Sequence, residues 1–340
     1  MSPDIASIVA AKSESALHGR AASNPKDVLM LGCVAYSNAV ASIWEGMRQY
    51  FLSVGVAFDF TMFTTYDRQV EALLSGQIDV AWNGPLAHVR VQKRTGGTSL
   101  SLGMRDVDQD FKSHLIVRND AGITDLKSLA GKRLATGTYD SPQACIYPLE
   151  ALASAPDGAA LLKSLHVVRF DRDLGKHGDT AAGELEVIRA LSEGEVDAGF
   201  VSDVMWTRAL AATDADAKAL SVLTVDGAGV TPPFDHCQFD ALETIAPAKR
   251  KAFESALFAM KFSDPDQRKV MVDEGIQKEW ARPRESGYDA MRSALDAEPV
   301  EPFPPPRDVP GSHRFASLEV REVSGFPASE FVRSCAVSAK

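Results

Sequence analysis

The chain has 340 residues, a length that suggests about two compact domains. Its formal net charge is −10, from 46 acidic and 36 basic residues, which disfavours nucleic acid as a partner because a polyphosphate backbone attracts basic surfaces. No apolar run approaches the roughly 20 residues of a membrane span, so we expect a soluble protein without stable membrane insertion.

Strand and helix patterns alternate along the first hundred residues. Residues 28–34 form a continuous apolar run, which predicts a strand buried on both faces, and apolar side chains recur at helical spacing in residues 39–52. A second strand (56–64), a short helix ending at Gly76, a third strand (78–82) and a helix starting at Pro85 follow. This alternation favours an open, mostly parallel sheet flanked by helices.

The alternation restarts near residue 118. A strand at 114–118 precedes a helix and a strand within residues 123–137, and further elements follow at 166–170, 181–192, 196–201 and 220–225. Helices at 248–260 and 265–274 would return the chain to the first unit. We therefore predict an α/β protein with lobe 1 at residues 27–117 and 226–300, lobe 2 at 118–225, a flexible extension at 1–26 and a proline-rich tail at 301–340.

The first residues do not have the pattern of a secretory signal. The apolar patch of residues 5–11 follows an aspartate instead of a basic cluster, which predicts a cytoplasmic protein, or a periplasmic or otherwise extracytoplasmic one if the true start site differs. The four cysteines have no CxxC spacing, so we expect free thiols.

Polar side chains follow several predicted strands at their carboxyl ends, where open α/β sheets place their ligands. In lobe 1 these are Tyr36, Tyr66 and Asn83, and in lobe 2 the corresponding residue is Asp203. Asp203 would serve equally well as the N-cap of the helix that follows it.

The segment GTYDSPQ (137–143) lies between a predicted strand and a predicted helix. Ser141 suits the N-cap and Pro142 the first helical position, so free backbone N–H groups would face the cleft. A helix N-terminus carries about half a positive charge and suits a phosphoryl or carboxylate oxygen, although Ser141 serves equally well as a cap alone. The ligand-binding positions predicted in this turn are Thr138, Tyr139, Ser141 and Gln143.

Four segments, in order, resemble the PhnD-like phosphate, phosphite and phosphonate substrate-binding proteins of ABC transporters. They are TTYDRQVEALLSGQIDVAW (64–82), SHLIVRNDAGITDLKSLAGKRLATG (113–137), SPQACIYP (141–148) and RALSEGEVDAGFVSD (189–203). The resemblance implies the type II periplasmic-binding-protein fold. In that fold each lobe is a mixed, mostly parallel sheet flanked by helices, and a two-stranded hinge closes the lobes on a ligand.

The resemblance also implies ligand contacts at Tyr66, at the turn around Ser141, and at either His177 or Glu184. The chain departs from the family where Ser-Pro-Gln replaces a hydroxyl-rich turn beside Asp140, and where Phe111 replaces a tyrosine. Fewer hydroxyl groups and an added carboxylate indicate an anion that differs from the family's usual ligand.

Two further polar segments, GKHGD (175–179) and FDHC (234–237), contain residue types that bind metals. The candidate ligands for zinc or iron are His177, His236 and Cys237, although they lack a paired metal-binding spacing. No other cofactor is predicted. In an enzyme, His177 or His236 would be the general base, and Asp179 or Asp235 would orient it.

The sequence thus favours a substrate-binding protein that closes on a small anion, such as a phosphonate, a phosphate, or a related oxyanion or carboxylate, and works with the membrane subunits of an ABC transporter. His177 and His236 would then contact the ligand. The alternative is a cytoplasmic enzyme on the same scaffold. It would be a decarboxylase, hydrolase or lyase for a small anionic metabolite, assisted by a metal bound through His177 and His236.

Overall fold

Two mixed sheets organise the computed structural model, which describes residues 27–212, 218–224 and 231–296. The predicted extension (1–26) and tail (301–340) lie outside these residues. Within the described part of the chain, no helix has both the length and the apolar composition needed to cross a membrane.

The strands and helices are numbered in chain order. The strands are β1 (Leu29–Val34), β2 (Phe58–Phe63), β3 (Val80–Asn83), β4 (Leu100–Arg105), β5 (Ser113–Arg118), β6 (Arg133–Thr136), β7 (His166–Arg169), β8 (Ala198–Ser202), β9 (Leu220–Val222), β10 (Gln238–Ala241) and β11 (Trp280–Ala281). The α-helices are α1 (Val40–Ser53), α2 (Tyr66–Leu74), α3 (Pro85–Arg94), α4 (Tyr147–Ser154), α5 (Gly158–Ser164), α6 (Ala182–Ser192), α7 (Asp203–Ala211), α8 (Pro247–Ala259), α9 (Pro265–Asp273) and α10 (Asp289–Asp296).

Each sheet is mixed, with its parallel pairs on one side and its antiparallel pairs on the other. In lobe 1 the order is β11-β4-β10-β3-β1-β2, where β1 pairs in parallel with β2 and β3, and β10 runs antiparallel to β3 and β4. In lobe 2 the order is β7-β6-β8-β5-β9, where β6 is parallel to β7 and β8, and β5 is antiparallel to β8 and β9. The predicted α/β fold with two mixed sheets is confirmed. Four of the nine strand pairs among the described residues are parallel, so the sheets are not mostly parallel as predicted.

A two-stranded hinge joins the lobes. The chain crosses to lobe 2 between β4 and β5 and returns between β9 and β10. On these two crossings, Phe111 and Phe234 form an antiparallel bridge with backbone hydrogen bonds of 2.8 and 2.9 Å. The predicted lobe boundary at residue 118 differs from this arrangement, because β5 pairs only with strands of the second sheet.

The predicted helix within residues 123–137 is a short 3-10 turn, Lys127–Leu129. Asp125 and Ser128 satisfy the backbone locally, with the Ser128 N–H donating to Asp125 Oδ1 at 2.8 Å, and such side-chain bonds compete with helix formation. Four elements were not predicted, namely β4, α5, β11 and α10.

An aromatic stack holds α1 and α8 against the first sheet. The Phe51 ring stacks on Phe58 and Phe253, with ring centroids 4.5 and 5.4 Å apart and interplanar angles of 10° and 4°. All three side chains are fully buried, so they join two helices and a strand that are distant in sequence. Such aromatic pairs stabilise a core beyond the area that they bury.

We expect Phe51→Ala to lower the free energy of unfolding by about 3–5 kcal/mol, because it removes a large side chain from a filled core. The neighbouring Leu52 is 37% exposed and is the matched control. Leu52→Ala should cost about 1 kcal/mol or less. Urea unfolding measures both, and equal losses would contradict the proposed role of the stack.

Candidate functional site

A loop of lobe 2, residues 171–181, crosses the cleft and contacts lobe 1. The Gly175 carbonyl accepts the N–H of Tyr66, the first residue of α2, at 2.9 Å. The Gly175 N–H donates to Asp140 Oδ2 at 2.8 Å, which ties the loop to the turn before the Ser141 helix. The loop therefore satisfies an N–H group at the start of a lobe 1 helix that has no partner within its own helix.

Tyr66 is the central contact between the lobes. Its ring stacks on His177, with centroids 4.4 Å apart and planes inclined by 14°, and its hydroxyl donates a hydrogen bond to Asp179. Tyr66 and His177 are each 1% exposed. The ring and the hydroxyl thus hold two residues of the opposite lobe.

Gln143 makes a second connection across the cleft. Its Nε2 lies 3.4 Å from both the Gly178 carbonyl and Glu184 Oε2, which directs its Oε1 towards His236 Nε2, also at 3.4 Å. Glu184 is held in turn by the Ser202 N–H, which donates to its Oε1 at 2.6 Å. The amide therefore links the lobe 2 framework to a histidine beside the hinge.

Charged residues lie on the lobe 1 side of the cleft. Arg105 donates to both oxygens of Asp108 at 2.7 Å and to the backbone carbonyl of Glu274 at 2.8 Å. Both carboxylate oxygens of Glu274 are buried and have no hydrogen-bond partner. Burial and, next, the negative charge of Glu274 raise the pKa of Tyr36, which places that tyrosine near this carboxylate.

Burial shifts the protonation of the cleft carboxyl groups. It raises the pKa of Asp179 to about 7 and that of Glu274 to about 8, because a carboxylate loses hydration in a closed site. It also raises the pKa of Asp140 and Glu184. Near neutral pH the cleft therefore holds carboxyl groups that retain protons.

The two cleft histidines are shifted towards the neutral form. Burial lowers the pKa of His236 to about 4 and places the pKa of His177 well below its usual value, with Arg90 adding to the effect at His177. The Nδ1 atom of His177 is buried without a hydrogen-bond partner. Neutral imidazoles can donate to one group and accept from another.

The structure brings together five of the predicted ligand-binding residues. They meet between the loop 171–181, α2 and the hinge: Tyr36, Tyr66, Gln143, His177 and His236. Sequence reasoning missed Arg105, Asp108 and Glu274. The charged run RDVDQD (105–110), directly before the crossing to lobe 2, was the available signal for the first two.

The turn at residues 138–141 differs from the predicted anion site. Ser141 Oγ accepts the Ala144 N–H at 3.1 Å, so Ser141 serves as the cap of the π-helical turn Pro142–Ile146, and Gly178 packs against it. Thr138 Oγ1 donates to the Arg172 carbonyl at 2.5 Å. The Tyr139 side chain is 46% exposed. The Ser141 and Thr138 side chains therefore bind backbone groups of the protein, and the Tyr139 side chain faces solvent.

Asn83 and Asp203 also have structural contacts. The Asn83 amide accepts from Gln69 Nε2 and donates to Asp240 Oδ2, both at 2.8 Å, within a fully buried polar network of lobe 1. Asp203 Oδ1 accepts the Val204 N–H at 2.8 Å in the first turn of α7. Neither residue belongs to the group around Tyr66.

The predicted histidine–aspartate pairs of an enzyme do not form. Asp235 binds the guanidinium of Arg284 instead of orienting His236. Asp179 accepts from Tyr66, and His177 Nδ1 has no partner, so this pair is also absent. Of the predicted metal ligands, His236 and Cys237 are close together and His177 lies apart from their cluster.

A separate cavity of about 490 Å³ lies between α4, the returning hinge strand and the region of α10. Tyr147, Phe234 and Gly287 contribute to its lining. It shares no residue with the contacts around Tyr66, so we place the functional site in the cleft, where polar groups of both lobes converge.

Two α/β lobes, a two-stranded hinge and polar groups converging from both sides are the architecture of two-lobed binding proteins. Residues 35–288 match the family described as ABC transporter, phosphonate, periplasmic substrate-binding protein. The match covers most of the chain, and the chain belongs to this family.

Sequence similarity to an individual protein agrees with this assignment. The chain is 27% identical over 164 residues to the phosphate-import protein PhnD of Mycolicibacterium smegmatis, an alignment that covers 44% of this chain and 46% of that protein. It therefore spans less than half of that relative's length. Neither this relative nor the family is described as an enzyme, and the enzyme alternative has no support.

Solved structures share the fold. PhnD1 of Prochlorococcus marinus, in complex with methylphosphonate, superposes with a TM-score of 0.60 at 18% identity, covering 80% of this chain and 97% of that one. The PA3383 binding protein of a Pseudomonas aeruginosa phosphonate transporter gives 0.54 at 14% identity, covering 79% and 85%.

We expect Gly178→Ala to lower the free energy of unfolding by at least about 1 kcal/mol more than Gly122→Ala. Both glycines have positive φ (+78° and +68°), so an alanine at either position is destabilised by roughly 1–2 kcal/mol in this left-handed backbone conformation. Of the two, only Gly178 would bring the added Cβ into contact with another group, the Ser141 side chain, whereas nothing lies within 4 Å at Gly122. Equal losses in urea unfolding would show that the packing of Gly178 on Ser141 is unimportant.

Proposed function

We propose that the chain binds a small phosphorus oxyanion, of the phosphonate or phosphate kind, between its lobes and presents it to the membrane subunits of an ABC transporter. Family membership supports the class of ligand and partner. The observation on which the proposal depends most is the convergence of Tyr66, His177, Asp179 and Gln143 at the junction of the lobes.

The contact set suits an oxyanion because it offers hydrogen-bond donors from both sides. In this structure the Tyr66 hydroxyl donates to Asp179 and the Gln143 amide donates to Gly178 and Glu184, so these donors would turn to the anion on binding. His177 supplies a ring nitrogen that has no protein partner. A protonated Asp179 adds a donor, whereas an ionised Asp179 would repel the anion. The raised pKa of Asp179 therefore makes the site compatible with a negative ligand.

Closure would couple binding to a change of shape. The loop 171–181 belongs to lobe 2, and its contacts with Tyr66 join it to lobe 1. A ligand that contacts both lobes favours the closed arrangement by its difference in affinity for the two states. A transporter subunit could then distinguish loaded from empty protein by shape.

The place of action follows the family. Its description is periplasmic, whereas the first residues of the chain led us to expect a cytoplasmic protein, an expectation without support from the relatives. We therefore infer that binding takes place on the outer side of the cytoplasmic membrane. Fractionation of cells expressing the native gene tests this, and recovery of the protein only with the cytoplasm would contradict it.

We expect one saturable site for at least one of methylphosphonate, phosphite and inorganic phosphate, with Tyr66→Phe lowering affinity about tenfold through loss of a buried hydrogen bond. Isothermal titration measures both, with sulfate and acetate as comparison anions. Tyr139→Phe is the matched control, because the Tyr139 side chain is 46% exposed, and it should leave affinity unchanged. No binding of any of the three phosphorus anions would refute the proposal.

We expect affinity for methylphosphonate to fall as pH rises through about 7, by up to about tenfold per pH unit, because Asp179 then loses its proton and becomes an anion. Tyr66, Arg105, Asp108 and Asp140 also act on the pKa of this carboxyl. In Asp179→Asn the added dependence should disappear, since the amide stays neutral.

The ionisation of methylphosphonate is the same in both titrations, so the difference between wild type and Asp179→Asn isolates the contribution of the carboxyl group. Parallel pH profiles for the two proteins between pH 5.5 and 8.5, roughly the range that brackets the pKa of Asp179, would contradict this role.

A further inference from the structure

Three potential metal ligands meet beside the hinge. One ligand atom each of Asp108, His236 and Cys237 lies within 4.8 Å of the other two, and all three residues are buried. His236 Nδ1 is 3.1 Å from Cys237 Sγ and 3.7 Å from Asp108 Oδ1. These separations are close to those between neighbouring ligands around one ion, because metal–ligand bonds are about 2.0–2.3 Å.

The neighbourhood fixes the hydrogen position on His236. Gln143 directs its amide nitrogen to Gly178 and Glu184, so its oxygen faces His236 Nε2 at 3.4 Å. An amide oxygen only accepts, so Nε2 carries the hydrogen and Nδ1 presents a lone pair to the sulfur and the carboxylate. Histidines that bind metals are commonly oriented in this way by an oxygen at the second ring nitrogen.

Asp108 is oriented by a neighbour as well. Arg105 donates to both of its oxygens at 2.7 Å, and each carboxylate oxygen has a second lone pair available. The carboxylate is therefore held in place with Oδ1 directed at the imidazole. Supporting contacts of this kind position the groups that bind a metal directly.

An unpartnered buried carboxylate lies near the cluster. Glu274 is 3% exposed, neither of its carboxylate oxygens has a hydrogen-bond partner, and its charge acts on Cys237 and Arg105. Arg105 is the cation that pairs with Asp108, and it donates to the backbone carbonyl of Glu274 but not to its side chain. A cation at the cluster would favour the ionised form of this carboxyl group, which burial disfavours.

We propose that Asp108, His236 and Cys237 bind a divalent transition metal of the Zn²⁺ class. Nitrogen, oxygen and thiolate donors suit Zn²⁺, whereas Mg²⁺ and Ca²⁺ prefer oxygen ligands alone. Three protein ligands leave a fourth coordination position. The thiol of Cys237 would release its proton on binding, as thiolate ligands do. This proposal goes beyond the proposed anion function, and the two sites share His236.

The test uses the full chain, treated with a chelator and free of phosphorus anions. Titration with Zn²⁺ should give one tight site per chain, and Co²⁺ should give a thiolate-to-metal charge-transfer band in the near ultraviolet. Cys237→Ala should abolish the band and lower Zn²⁺ affinity by more than about 100-fold, which exceeds the 10–100-fold loss typical of an outer contact. Cys145→Ala is the control, since Cys145 is also a buried free thiol, and it should retain the band and the affinity.

A variant that leaves the cluster intact covers the case in which Cys237→Ala does not fold. Replacing the other three cysteines, Cys33, Cys145 and Cys335, by alanine should preserve the band, which assigns the band to Cys237. Absence of a thiolate band in the wild-type protein would overturn the proposal, as would a band that survives in Cys237→Ala. Anion binding is measured separately, so failure of either proposal leaves the other standing.

Discussion

The contact between Tyr66 and the loop 171–181 is the interaction on which the rest of the site depends. One aromatic side chain at the start of α2 stacks on His177 and donates to Asp179, while its own N–H is capped by Gly175. These bonds bring a lobe 2 loop onto a lobe 1 helix. Together with the contact between Gln143 and His236, they place polar groups of the two lobes in one buried space.

Several acidic groups are buried in this protein, although it belongs to an anion-binding family. Protonation of these groups removes the repulsion that their negative charges would cause. Desolvation favours the neutral form of Asp179 and Glu274, and a neutral carboxyl donates a hydrogen bond where a carboxylate would repel. Burial raises the pKa of Asp140 and Glu184 in the same way.

Much of the fold could be predicted because hydrophobic periodicity reports directly on burial. The run at residues 28–34 became β1 and the helical spacing of residues 39–52 became α1, each within one residue at every boundary. The helix predicted in residues 123–137 failed because Asp125 and Ser128 form a local turn that periodicity does not reveal.

The site was only partly predictable, because its contacts join residues far apart in the chain. Tyr66 and His177 could be proposed individually from strand ends and from the family resemblance. Their stacking depends on the path of an irregular loop with several positive φ angles, including His177 itself at +51°. The partner of His236 was assigned to its neighbour Asp235, whereas Asp108, more than a hundred residues away in the chain, faces its ring.

The bridge between Phe111 and Phe234 also determines which contacts survive when the lobes separate. Asp108 and His236 lie within three residues of this pivot, on the crossing segments, whereas Gln143 travels with lobe 2. Opening would therefore break the bond between Gln143 and the His236 ring and release the tautomer that this bond selects. Movement at the hinge would thus control the tautomer of His236. Its Nδ1 atom would keep the free lone pair only while the lobes are together.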